Sequence, residues 1–387
     1  MLHLTDLALK NKKVVIREDF NVPIQEGMIT SIARIQAALP TIRYALEQGA
    51  AVILLSHLGR PKAGVYDATY SLAPVAECLS QLLGFPVPCI TNYLDGVSCA
   101  PGEVVLCENV RFNLGEQTND PKLAKQLAGL GDIYVMDAFA VAHRKEASTE
   151  GALHAAKTAC AGPLLRKELD ALARVLAAPE KPLLALVAGS KVSTKLTLLE
   201  HISDQADMLI VGGGILNTFI LAAGFCIGNS LAEPSLIATA QRITEKMQQR
   251  NASIPLPIDV IVATQCSADA KATIKLLTEV QANEMILDIG PETAATWAKL
   301  IRQAKTIVWN GPVGVFEYPP FASGTEAIAK AIAASPAFSI AGGGDTLAAI
   351  EKFAIADKIS YISTGGGAFL ECLEGKVLPA VAALLRS

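Results

Sequence analysis

Arginine and histidine recur at one kind of place in the first half of this sequence, just after a short apolar run. Arg17-Glu18-Asp19-Phe20-Asn21-Val22-Pro23 follows residues 14–16. Ser56-His57-Leu58-Gly59-Arg60-Pro61 follows Ala51–Leu55. Glu108-Asn109-Val110-Arg111-Phe112 follows residues 104–106, and Asp137-Ala138-Phe139-Ala140-Val141-Ala142-His143-Arg144 follows Ile133–Met136. Guanidinium forks match the oxygens of phosphate and carboxylate. One such arginine is ordinarily a solvated surface charge. Four at the same relative place point to an anion site beyond the strand ends, where open parallel sheets bind ligands. Asp19 and Asn21 suit a ligand hydroxyl, or equally a turn before Val22-Pro23. His57 and His143 are candidates for structural hydrogen bonds, since no metal-ligand spacing surrounds them.

The second half carries glycines where the first carries arginines. Gly189-Ser190-Lys191-Val192-Ser193-Thr194-Lys195 follows one apolar run, and Gly212-Gly213-Gly214 the next. Asn310-Gly311-Pro312-Val313-Gly314, Gly342-Gly343-Gly344-Asp345-Thr346 and Gly365-Gly366-Gly367 follow three more. Glycine lets backbone amides approach a ligand, and a helix N-terminus behind it favours phosphate. A single triplet is weak, because glycine also makes tight turns. Five together argue for a nucleotide along the sheet edge. Asp345 is placed to hold Mg²⁺ on the nucleotide phosphates, or to cap a helix. Lys191 and Lys195, four apart, share a face if that segment is helical.

These loops need strands to carry them. Short apolar runs alternate with amphipathic stretches along the chain. Strands are expected at 14–16, Ala51–Leu55, 104–106 and Ile133–Met136. Further strands are expected at 183–187, 208–211, 258–262, 306–309, Phe338–Ala341 and 358–363. Helices are expected at 34–47, bent or restarted at Pro40, and at 74–83 and 121–127. Strands apolar on both faces, alternating with helices, signal βαβ units and parallel sheets.

The chain has 387 residues, long enough for two domains. The boundary is expected at about residue 165, where Gly162-Pro163 precedes a helical run able to couple two lobes. With 51% hydrophobic and 18% charged residues, the sequence is globular rather than disordered. A net charge of −4, from 33 basic and 37 acidic residues, argues against a nucleic-acid or membrane-surface partner. The eight cysteines are widely and irregularly spaced, as small core residues of a reducing compartment would be. No signal-peptide layout or membrane-length apolar run occurs, so a cytoplasmic protein is expected.

Taken together, Arg17–Pro23, Ser56–Pro61, Gly189–Lys195, Trp309–Glu317 and Ser363–Gly367 with Ala368-Phe369-Leu370-Glu371 make the sequence resemble phosphoglycerate kinase over essentially its whole length. The resemblance implies two Rossmann-like, three-layer α/β lobes with mainly parallel sheets, joined by a hinge helix. One lobe, 1–165 with a tail of about 373–387 packed back on it, would hold 3-phosphoglycerate. The other, 166–372, would hold the nucleotide. By motif, Asp19, Asn21, Arg34, His57, Arg60, Arg111 and Arg144 would bind 3-phosphoglycerate. Lys195, Gly212, Gly213, Asn310, Pro312, Glu317, Gly343, Gly344, Asp345 and Thr346 would bind ATP or ADP, with Glu317 facing the ribose and Asp345 on Mg²⁺. Arg34 and Lys191 would flank the transferred phosphoryl group. A monomer is implied. Ser31-Ile32-Ala33, Met136, Ala140 and Ala188 depart from the family's usual residues but remove no ligand group.

A carboxylate acceptor is already ionised at neutral pH and needs no general base. Catalysis then reduces to positioning and charge neutralisation. Two other readings compete. A dehydrogenase would carry a dinucleotide fingerprint, and none is convincing here. A catalytically silent binding protein on the same two lobes would keep the ligands without turnover.

Overall fold

A computed structural model describes residues 1–386. The described chain divides into two compact units. One comprises Met1–Asp170 together with the residues from Val377 onward; the other is Ala171–Lys376. The division falls inside the helix Pro163–Leu176.

The first unit is built on β1 (Lys13–Arg17), the small hairpin β2 (Ile24–Gln25) and β3 (Met28–Ile29), β4 (Ala51–Leu55), β5 (Cys89–Ile90), β6 (Val104–Cys107), β7 (Ile133–Met136) and β8 (Ala159–Ala161). Six of these form one parallel sheet in the order β5-β6-β4-β1-β7-β8. The four strands that end in arginine or histidine loops are its contiguous middle, β6-β4-β1-β7. Their side chains are buried almost throughout, as a sheet covered on both faces requires. Chain direction reverses beside β1, which places a crevice at its carboxyl end. The helix Ala33–Glu47 runs unbroken through Pro40, whose ring faces solvent, so the expected restart does not occur. The helix Pro379–Arg386 belongs to this unit, and Ala380 donates its backbone N–H to Ala142 at 3.1 Å.

The second unit contains β9 (Leu183–Ala188), β10 (Met208–Gly212), β11 (Asp259–Ala263), β12 (Thr273–Leu276), β13 (Met285–Ile289), β14 (Thr306–Asn310), β15 (Phe338–Ala341) and β16 (Tyr361–Ile362). Its main sheet is parallel, in the order β10-β9-β14-β15-β16. These are the five strands followed by glycine. The reversal lies between β9 and β14, a second switch-point crevice.

Two expectations change. The strand expected at 258–262 is Asp259–Ala263, and it leaves the parallel sheet for a separate antiparallel one, β12-β11-β13. Periodicity fixed its strand character but carried no information on its partners. The strand expected at 358–363 shrinks to Tyr361–Ile362, because a 3₁₀ turn occupies Ala356–Lys358.

Candidate active site

In the first unit the loops after β1, β4, β6 and β7 bring their charges around His57. His57 is almost fully buried. Its pKa is held well below the usual histidine range, first by burial and then by Arg17, Arg111, Arg144 and Arg34. The imidazole is therefore neutral at pH 7 and donates without adding charge. Arg17 NH2 lies 3.4 Å from its Nδ1, which leaves Nε2–H as the ring's donor. Four guanidiniums close to one buried ring make a strongly positive bowl. Two carboxylates temper it. Asp19 Oδ2 receives Arg34 NH1 at 2.5 Å, and Glu146 Oε1 lies 3.0 Å from Arg111 NH2 and 3.7 Å from Arg144 NH1. Arg111 is buried, its pKa lowered by that burial, and its Nε–H has no partner among the described residues. Arg60 is exposed beside the bowl.

The backbone is shaped to hold these groups. Asn21 donates its own N–H to Asp19 Oδ1 at 3.1 Å and accepts from Gly59 N at 2.8 Å. The two residues thus make a turn, as the turn reading required, while the remaining oxygen of Asp19, Oδ2, faces Arg34. Gly59 accepts from Arg111 NH1 at 2.7 Å and has φ +60°; a Cβ there would come within 2.3 Å of the Tyr70 ring. Arg17 is fully buried and donates from Nε to Ser148 Oγ at 2.9 Å. Ser148 in turn donates from N and Oγ to Glu116, at 3.0 and 2.5 Å. Burial raises Glu116 to about 7. Gly59, Glu146, Ser148 and Glu116 were not among the sequence candidates. Glu116, Glu146 and Ser148 contact partners far away along the chain, and no local motif announces that.

In the second unit the switch point is occupied by Lys195. Its Nζ donates to the backbone oxygen of Ala188 and to Asn310 Oδ1, both at 2.5 Å. Burial lowers its pKa to about 8, against an opposing pull from Asp345. Asn310 Nδ2 donates to Gly342 O at 2.7 Å. Thr346 is buried, and its hydroxyl accepts from Gly311 N at 2.8 Å and donates to Gly342 O at 2.9 Å. Asn310 and Thr346 therefore knit β14 to β15 beneath the glycines. Gly343 has φ +101°, and a Cβ on it would stand 2.7 Å from Asn310 Nδ2. Gly213 has φ +65°, with Gly189 O only 2.8 Å from where its Cβ would be. Both positions demand glycine.

Beside this framework lies a cavity of about 350 Å³, large enough for a nucleoside. Gly189, Gly213, Gly214, Pro312, Glu317 and Asp345 are among the residues along it. So are Leu216, Asn217, Leu231 and the segment Met285, Ile286, Leu287 and Asp288 from β13. The β13 wall went unforeseen, because a short antiparallel strand without glycine, its one carboxylate Asp288 buried, offers no local signal. Asp345 is exposed in the first turn of the helix Gly344–Lys352. One exposed carboxylate next to the glycine amides would fit Mg²⁺, which takes most of its ligands from phosphate and water. Among the described residues no cluster of three or more His, Cys, Asp or Glu could hold a metal unaided.

The condition for Lys191 and Lys195 to share a face is not met. The helix begins only at Leu196, so Lys191 and Lys195 share no helical face. Glu233 accepts from Ser193 N at 2.8 Å and from Ser193 Oγ at 2.6 Å, and that anchor holds the intervening residues in a turn. The same hydrogen bonds from Ser193, and last the charge of the exposed Lys191, lower the Glu233 pKa.

A guanidinium bowl on one parallel sheet and a glycine-edged, nucleoside-sized cavity on another define a two-unit α/β kinase. The phosphoglycerate kinase family model matches residues 4–376. A curated phosphoglycerate kinase of Nitratidesulfovibrio vulgaris is 57% identical over 384 residues, covering 99% of this chain and 98% of that protein. The solved phosphoglycerate kinase of Coxiella burnetii is also 57% identical. It superposes with a TM-score of 0.97 over 100% of this chain and 99% of that one. That of Pyrococcus horikoshii is 34% identical with a TM-score of 0.82, covering 100% and 98%. The chain belongs to the phosphoglycerate kinase family. It is a transferase of glycolysis, and neither the dehydrogenase nor the silent-binder reading finds support. No helix among the described residues is long and apolar enough to cross a membrane.

Proposed function

We propose that the first unit binds 3-phosphoglycerate or 1,3-bisphosphoglycerate and the second binds MgATP or MgADP, with direct in-line transfer between them. The observation that carries the substrate side is the bowl around His57, where Arg17, Arg34, Arg111 and Arg144 converge on one neutral ring. A phospho-acid bearing two anionic groups is the ligand such a surplus of positive charge recognises. Arg60, Arg111 and Arg144 would take its phosphate, and Asp19, Asn21 and His57 its carboxyl-bearing end and hydroxyl. Arg34 sits at the start of its helix, part-exposed and leaning on Asp19, so it can turn toward a reacting group.

On the nucleotide side, the base and ribose would fill the cavity, with Glu317 on the ribose. Lys195 and the amides of Gly212, Gly213, Gly343 and Gly344 would hold phosphates, with Asn310, Pro312 and Thr346 shaping their seat. Asp345 would hold Mg²⁺, which when bound neutralises phosphate charge. Lys191, free in its loop, would reach the transferred group from the opposite side to Arg34.

The acceptor carboxylate attacks the γ-phosphorus of ATP, the bond to the β-γ bridging oxygen breaks, and ADP leaves. In reverse, the ADP β-phosphate oxygen attacks the acyl phosphate of 1,3-bisphosphoglycerate and the carboxylate departs. No proton moves in either step, so no base is required. The chain's task is to bring the ends into line, exclude water and spread charge over the equatorial oxygens. With the ligands on different units, the units must close for transfer, by bending near the helix Pro163–Leu176. The protein would work as a cytoplasmic monomer.

Purified protein with MgATP and 3-phosphoglycerate, coupled through glyceraldehyde-3-phosphate dehydrogenase to NADH loss, tests the reading. Turnover requiring both substrates and Mg²⁺ is expected. Binding of both without turnover would refute it.

A further inference from the structure

Behind the bowl, β1 and β7 run side by side with Arg17 opposite Met136, so Glu18 and Asp137 are the next residues of neighbouring strands. Asp137 N donates to Arg17 O at 3.1 Å. Both carboxyls are fully buried. Their donors are unequal. Asp137 Oδ2 accepts from Thr41 Oγ1 at 2.5 Å, and Oδ1 accepts from Leu165 N at 2.9 Å, in the first turn of the helix Pro163–Leu176. No N–H or hydroxyl reaches either oxygen of Glu18. Its hydrogen-bond contact is the Asp137 carboxyl. The charged groups around Glu18 are Asp137, Asp19 and Arg17. The Arg17 guanidinium is committed to Ser148, His57 and the backbone oxygen of Glu18. Two touching carboxyls in a dry site cannot both ionise, so they share a proton. It belongs on Glu18, because Asp137 alone has donors to support a negative charge.

We propose that Glu18 is a positioning residue for the phosphoglycerate reaction: as a neutral acid it donates to Asp137, and this bond pins the Asp19–Asn21 loop to the start of the helix Pro163–Leu176. The proposal rests on reading Asp19 and Asn21 as substrate contacts. Two further features agree with it. Burial, then Asp137 and Asp19, raise Glu18 well above the carboxylate range, while burial raises Asp137 to about 6. A Cβ on Gly162 would lie 2.3 Å from Asp137 Oδ1, so glycine there admits the carboxyl to the helix start.

The test compares wild type with Glu18→Gln, which keeps a neutral donor, and Glu18→Leu, which keeps bulk alone. Glu18→Leu is expected to raise KM for 3-phosphoglycerate about tenfold, the loss of one hydrogen bond to a charged group, with nucleotide KM unchanged. Glu18→Gln is expected to match wild type near neutral pH. Toward alkaline pH the wild-type KM for 3-phosphoglycerate should climb as the pair loses its proton, and that of Glu18→Gln should stay level. Equal KM in Glu18→Leu and wild type, or equal damage in both variants, would overturn the proposal. Infrared difference spectra of wild type against Glu18→Gln give a readout independent of turnover. A protonated-carboxyl C=O band lost in the variant supports the proposal, and its absence overturns it. If Arg34→Ala impairs the enzyme while Glu18→Leu does not, only the Glu18 role fails. If neither does, the reading of the bowl fails with it.

Discussion

Under the proposed function, the two units would answer the same problem, holding a phosphorylated ligand at the carboxyl edge of a parallel sheet, with different materials. The first uses side chains: charged loops after β6, β4, β1 and β7, cross-braced by Glu146, Asp19 and Ser148. The second uses backbone: glycine turns after β10, β9, β14, β15 and β16, with one half-buried lysine and the Asn310–Thr346 framework beneath. A small, rigid phospho-acid can be surrounded by guanidiniums. A nucleotide is long and partly apolar, and it needs a smooth channel with amides along it. Charge therefore concentrates where the proposed ligand is small, and side chains are absent where the proposed ligand is large.

This contrast predicts different failures. The largest effect is expected from Arg34→Ala. Losing a cation at the reacting group should lower kcat about 10²–10³-fold while nucleotide affinity holds, as read in the coupled assay. Lys191→Ala should do the same, and an unchanged kcat in either would remove that residue from catalysis. Next, Gly343→Ala should weaken MgADP binding about tenfold and leave 3-phosphoglycerate binding intact, because the new Cβ strains a positive φ and strikes Asn310 Nδ2. Isothermal titration with each ligand separates these outcomes.

A smaller effect concerns protons. Lys195 has its pKa lowered to about 8, so the free protein has partly lost this charge just above that pH. Bound phosphate favours the charged form. Nucleotide binding at pH 8–9 should therefore take up a fraction of a proton, and affinity should decline as pH rises through about 8. Calorimetry in buffers of different ionisation enthalpy measures the uptake. Lys195→Met should abolish it. The smallest expected effect is from salt. Added potassium chloride should raise KM for 3-phosphoglycerate more steeply than KM for nucleotide, since the bowl attracts by charge and the cavity largely by shape.

The sequence was most legible where function is local. Each arginine or glycine loop could be read because it sits directly behind its own strand, and grouping the strands by the residues at their carboxyl ends gives the four middle strands of the first parallel sheet and all five of the second; the edge strands β5 and β8 carry no such loop. The antiparallel β12-β11-β13 sheet was opaque for the same reason: its pairing is long-range, and β13 lines the cavity with three apolar residues and one buried carboxylate, Asp288, that no local motif marks. Glu18 was in plain view between Arg17 and Asp19. Nothing in that run says that its side chain turns inward to meet Asp137, far along the chain. For Lys191 and Lys195 spacing alone left the face open, since it depended on a helix that begins only at Leu196, after the turn anchored by Glu233 on Ser193.

The division of labour between the units is tested most directly by titrating 3-phosphoglycerate and MgADP separately onto Arg144→Ala and Gly343→Ala. The account predicts a crossed result: Arg144→Ala loses affinity for 3-phosphoglycerate alone, and Gly343→Ala for MgADP alone. Loss of both ligands in either folded variant, or of the wrong one, would contradict it.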